Sequence, residues 1–103
     1  MSDRLEKLHA LLERDPNDSF LLYAIALEHK KAGQHPAAIE WFNRVIAKDP
    51  SYCAAYHMAA QTHEDAGDVE AAKKSYRDGI TAATKKGDGH AAAEMQAALD
   101  LLE

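Results

Sequence analysis

The sequence predicts an all-α fold: about six antiparallel helices, paired into hairpins and stacked in a row. Three observations predict it. The first is a 34-residue period, in which Asp15-Pro16 recurs as Asp49-Pro50, Ala26 as Ala60, His29 as His63, Gly33 as Gly67, Ala38 as Ala72 and Ile46 as Ile80. A repeat of that length marks stacked supersecondary units rather than one closed core. The second is composition: alanine is abundant, with only 5 Gly and 3 Pro among 103 residues, so helix is favoured almost throughout. The third is the spacing of the breakers, which leaves loops of about two to four residues and forces consecutive helices to run antiparallel.

The elements follow in order. A first helix is expected over about Asp3 to Arg14, with Leu5, Leu8, Leu11 and Leu12 as its apolar stripe. Asp15-Pro16 ends it, because proline disfavours helical geometry in the residue before it. Asn17 or Asp18 can cap a second helix that continues to Ala32 and stops at Gly33. Pro36 suits the first turn of a third helix that runs to about Lys48. Ser51 is the expected cap of a fourth helix ending at Gly67, and Asp68 that of a fifth running to about Lys85. Gly87-Asp88-Gly89 opens a sixth. Small residues stand where the helices of a hairpin approach, Ala26 with Ala38 and Ala60 with Ala72, while Leu22, Ile25, Phe42, Ile46, Tyr56, Tyr76 and Ile80 fill the spaces between.

Composition narrows the function. Hydrophobic residues make up 47% and charged residues 28%, which describes a globular chain. The net charge of −5 argues against nucleic acid, whose binding needs a basic stripe. Residues 87–103 alone carry −4, so the acidity sits in the last helix. No stretch approaches the roughly 20 apolar residues that span a bilayer. The N-terminus lacks a signal-peptide pattern and the single cysteine, Cys53, fits a reducing compartment, so a cytoplasmic location is expected. Gly87-Asp88-Gly89 lacks the strand and lysine of a phosphate loop, and no nucleophile motif stands out, so catalysis is not expected.

The runs Leu22, Ile25, Ala26, His29, Gly33, Ala38, Phe42, Val45, Pro50 and Tyr56, Ala59, Ala60, His63, Gly67, Ala72, Tyr76, Gly79 resemble the tetratricopeptide repeat. The chain looks like a small stand-alone bacterial member of that family. His29 and His63 stand where tyrosine is usual, and Thr84 where a closing proline is usual. The resemblance covers the chain as a half repeat (3–16), repeats 17–50 and 51–84, and a terminal helix (88–102). It implies a right-handed superhelix and a protein-interaction role, as adaptor or scaffold, with the first helix of each repeat lining a concave groove. On that mapping the groove takes Phe20, Tyr23, Ala24, Leu27, Lys30 and Lys31 from the second helix, His57, Met58, Gln61, Glu64 and Asp65 from the fourth, and Asp88, Ala92 and Met95 from the sixth, with Phe20, Tyr23, Leu27, Lys30, His57, Met58, Gln61 and Met95 as the residues expected to bind. Relatives that grip acidic chaperone tails use lysine, arginine and asparagine, where this chain offers Tyr23, Leu27, Met58, Asp88 and Ala92. The expected partner is therefore a partly apolar peptide or helical segment of another protein, with Phe20, Tyr23 and Met58 as anchors.

Other candidates compete with plainer readings. His29 and His63 lie one repeat apart, and Cys53 and His57 share a helix face, but neither pair brings the three or four ligands that a metal site needs. No metal and no cofactor are expected. Trp41 beside Phe42 must be half exposed, as filler or as contact surface. The last helix carries more than one apolar face, so a second expectation is weak homodimerisation through Met95, Leu99, Leu101 and Leu102.

Overall fold

A computed structural model describes residues 3–103, and among them there are six helices: α1 (Asp3–Arg14), α2 (Ser19–Lys31), α3 (His35–Lys48), α4 (Cys53–Asp65), α5 (Val69–Lys86) and α6 (Gly89–Leu102). Local chemistry explains most boundaries. The Asp18 carboxylate accepts from the backbone N–H groups of Phe20 and Leu21, and Asp68 and Asp88 do the same for Ala71 and Ala91. The chain leaves α2 and α4 through Gly33 and Gly67, at φ of +75° and +82°, a region where a Cβ would be strained. There the N–H of Gly33 bonds Lys30 O and that of Gln34 bonds His29 O, closing the end of α2, and Gly67 and Asp68 repeat the pattern on Glu64 and His63.

One detail departs from expectation. Ser51 does not cap α4: its hydroxyl donates to Asp49 at 2.6 Å inside the turn, and Tyr52 takes the cap position with no side-chain bond. The end of α5 is close to the expected one: with Thr84 in place of a proline nothing stops the helix at the repeat boundary, and it ends at Lys86 before the left-handed Gly87.

Sequential helices pack as neighbours throughout, and beyond them only α2 with α4 and α4 with α6 approach closely at their backbones, among the described residues. The even-numbered helices therefore form the tighter, concave side, and the odd-numbered ones fan apart on the convex side. The thin dimension of 18 Å matches two helical layers.

The core divides along the repeat. One cluster holds Leu22, Ala26, Ala38, Phe42, Val45, Ala55 and Ala59; another holds Cys53, Ala60, Tyr76, Ala83, Met95 and Leu99. Leu5 and Leu8 seat α1 on Ala24 and Ile25. All four alanines of the expected close approaches, Ala26, Ala38, Ala60 and Ala72, are completely buried. A larger side chain at any of them would separate the helices, since the interior is close-packed.

Candidate partner-binding groove

On α2, Phe20, Tyr23, Leu27 and Lys30 fall at helical spacing along one face, but they are not equally available. Phe20 on the first turn is 64% exposed. Tyr23 is half-buried, its ring centroid 5.9 Å from Phe42 and 5.1 Å from Tyr52. Burial pushes its hydroxyl pKa up. Leu27 and Met58 pack against the first core cluster, so both serve as partly covered walls of that half of the groove. Lys30 crosses to α4, its ammonium 3.6 Å from Asp65.

The groove opens further along. Lys30, His57, Gln61, Glu64, Asp65, Tyr76, Ala98 and Leu101 line a cavity of about 310 Å³ that draws on α2, α4, α5 and α6. Five of the residues mapped to the groove, Lys30, His57, Gln61, Glu64 and Asp65, meet here. Tyr76 forms the floor: it is buried, meets the His57 ring edge-on at 5.7 Å, and donates its hydroxyl to Glu64 Oε2 at 2.6 Å. Burial first, and then this hydrogen bond, push the Tyr76 pKa well above that of an ordinary phenol. The hydroxyl thus stays protonated and holds the Glu64 carboxylate at the mouth of the cavity.

Met95 does not belong to this surface. It is 1% exposed, and its sulfur lies only 2.4 Å from where a Cβ on Gly79 would stand. The missing side chain of Gly79 leaves a slot between α5 and α4, and Met95 fills it. Leu99 is likewise buried, and Leu102 packs half-buried against the same cluster. Met95, Leu99 and Leu102 form one stripe at helical spacing that covers the end of the chain's own stack. Of the four residues expected to mediate self-association, only Leu101 is open, at 87% exposure, and it lines the groove. The other outward positions of α6, Gly89, His90, Ala93, Glu94, Gln96, Ala97 and Asp100, are small or polar.

Of the remaining candidates, His29, Trp41 and Cys53 have local partners. His29 Nδ1 lies 2.7 Å from Gln34 Oε1. Its ring also stacks on Trp41 at 6.5 Å, while His9 meets Trp41 edge-on at 5.5 Å and the Arg44 guanidinium sits 4.4 Å from the indole centre. Trp41 is half-buried as expected and ties α1, α2 and α3 together. Cys53 is buried and donates its thiol to the Ser51 carbonyl at 3.4 Å. Among the described residues no group of three or more His, Cys, Asp or Glu side chains is arranged to hold a metal ion, and no helix is long and apolar enough to cross a membrane.

Sequence reasoning left Tyr76 and Ala98 out of the groove and gave Leu101 to self-association instead. A signal for Ala98 existed, since Lys30, Glu64 and Ala98 stand 34 residues apart. None existed for Tyr76, which occupies a core position and reaches the groove only through its hydroxyl.

Comparison with known proteins fits this geometry. The tetratricopeptide repeat model matches residues 54–86, the second hairpin. A tetratricopeptide repeat domain protein from Salinibacter ruber, solved in solution, is 30% identical, with 86% of this chain and 90% of that one aligned at a TM-score of 0.80. The chain belongs to the tetratricopeptide repeat family. A TPR repeat-containing protein of Pseudomonas aeruginosa is 26% identical over 99 residues, or 96% of this chain and 94% of that one. The crystal structure of PcrH in complex with the chaperone-binding region of PopD shares the tetratricopeptide fold at a TM-score of 0.88 and 19% identity, over 97% of this chain and 76% of that one.

Proposed function

We propose that this tetratricopeptide repeat chain is a non-catalytic adaptor that holds a peptide or helical segment of another protein in its concave groove. The observation that carries the reading is the convergence of polar and apolar side chains from three parallel helices, α2, α4 and α6, on one open cavity, with the exposed Phe20 further along the same α2 face. That combination of an accessible apolar anchor and hydrogen-bonding groups is what recognition of a partly apolar segment needs. The complex of PcrH with a region of PopD gives one instance of this fold holding part of another protein. The absence of a membrane-spanning helix among the described residues is compatible with work in the cytoplasm.

Affinity capture from the native extract with two baits tests the reading. One bait is the natural chain; the other carries Phe20→Ser, His57→Ala, Gln61→Ala and Leu101→Ser. A partner held by the first and lost from the second, at equal far-UV circular dichroism, is the expected result. Equal retention by both would place binding elsewhere.

A further inference from the structure

Because α2, α4 and α6 run in the same direction, their C-terminal ends lie along one edge of the concave face. Those ends give the cavity Lys30 on α2, Glu64 and Asp65 on α4 and Leu101 on α6, while Ala98 one turn earlier and His57, Gln61 and Tyr76 complete its lining. Helix C-termini carry partial negative charge, which favours a cation nearby. The side chains add to it. Lys30 is matched by Asp65, whereas Glu64 makes no ion pair with any Lys, Arg or His among the described residues. Among the described residues the one hydrogen-bonding partner of its carboxylate is the neutral Tyr76 hydroxyl, which occupies Oε2. One full negative charge is therefore uncompensated at the cavity mouth, beside the exposed aliphatic surface of Leu101 and Ala98.

We propose that this end of the groove is the subsite for a lysine or arginine of the partner segment, with Glu64 as the acceptor and Leu101 and Ala98 as the bed for its aliphatic stem. The inference rests on the groove being the partner-binding surface. The chemistry of the occupant follows from the pairing: a long side chain that buries methylenes and keeps a charged head in water needs an aliphatic shelf ending at an anion. A purely apolar residue would leave Glu64 without compensation. An acidic residue would meet it as a like charge, and an anionic membrane or nucleic acid would be repelled for the same reason.

Panning a random dodecapeptide display library against the folded full chain tests the subsite. The parallel targets are Glu64→Gln, which keeps an acceptor for Tyr76 and removes only the charge, and the four-residue groove variant above. The expected result is a selected motif with Lys or Arg next to an apolar residue, enriched on the natural chain and lost on Glu64→Gln. A synthetic peptide of that motif should lose about threefold or more in affinity when its basic residue becomes norleucine. Its binding should also weaken with added salt, while that of the norleucine peptide should not. Peptides that bind the groove with no preference for a cation, or equally well to Glu64→Gln, would overturn the subsite and leave the groove standing. Failure to select any peptide that the four-residue variant loses would overturn both.

Discussion

The two hairpins, α2–α3 and α4–α5, share a scaffold and differ in how they fill it. In the first, Phe42 and Val45 pack into a fully apolar cluster, and Tyr23 and Leu27 cover it from the groove side. In the second, the corresponding residues are Tyr76, Gly79, His57 and Gln61. Each substitution makes the second hairpin smaller or more polar. The result is a cavity where the first hairpin has a covered wall. Valine at position 45 fills its own space, whereas glycine at position 79 admits Met95 from the next helix and lets the Tyr56 Cβ approach to within 2.7 Å of the place where its own would be. Thr62, completely buried, satisfies its hydroxyl on Met58 O at 2.7 Å. The difference teaches that the repeat conserves helix spacing while its filling decides where a partner can enter.

Three substitutions test that contrast, in order of expected effect. Phe42→Ala should be the most damaging, about 3–5 kcal/mol by equilibrium urea unfolding, because it empties the well-filled hairpin of a completely buried ring. A loss below about 1 kcal/mol would show that this hairpin is loosely packed after all. Gly79→Val should cost about 1–3 kcal/mol by forcing Met95 and Tyr56 aside. Combining it with Met95→Ala should recover part of that loss, since the two side chains compete for one slot. Strict additivity in the double variant would break the exchange of volume argued here.

Tyr76→Phe is the smallest, about 1 kcal/mol at neutral pH, because the bond to Glu64 lies at the edge of the groove. Its signature is the pH dependence. The folded pKa of Tyr76 lies above the ordinary value of 10.0, so the neutral hydroxyl stabilises the fold fully below about pH 10. That contribution is lost as the pH rises further, because the unfolded chain then releases a proton that the folded chain retains. The stability gap between the natural chain and Tyr76→Phe should therefore shrink above about pH 10. A gap that stays constant to pH 11 in thermal melts would remove Tyr76 from the titration.

Much of the scaffold was legible in the sequence. The caps Asp18 and Asp68, the glycines after α2 and α4, and the alanines of the close approaches are decided within a few residues or recur with the period. The cap of α4 was misread, because a serine hydroxyl two residues from an aspartate can serve the turn instead. The lining of the cavity was legible where α4 and the end of α2 form it, at Lys30, His57 and Gln61, and illegible where α5 and α6 do. Met95 is apolar and phased with Leu27 and Gln61, yet whether it faces the groove or the core depends on a glycine sixteen residues earlier.

By itself, then, the sequence determined the helices, their order and their antiparallel pairing, because these depend on periodicity, caps and short loops. Only the tertiary structure decided which face α6 turns inward, that Tyr76 holds Glu64, and that Lys30 is matched by Asp65. Those outcomes depend on the volume and charge left by side chains on other helices, which no local rule along the chain can sum.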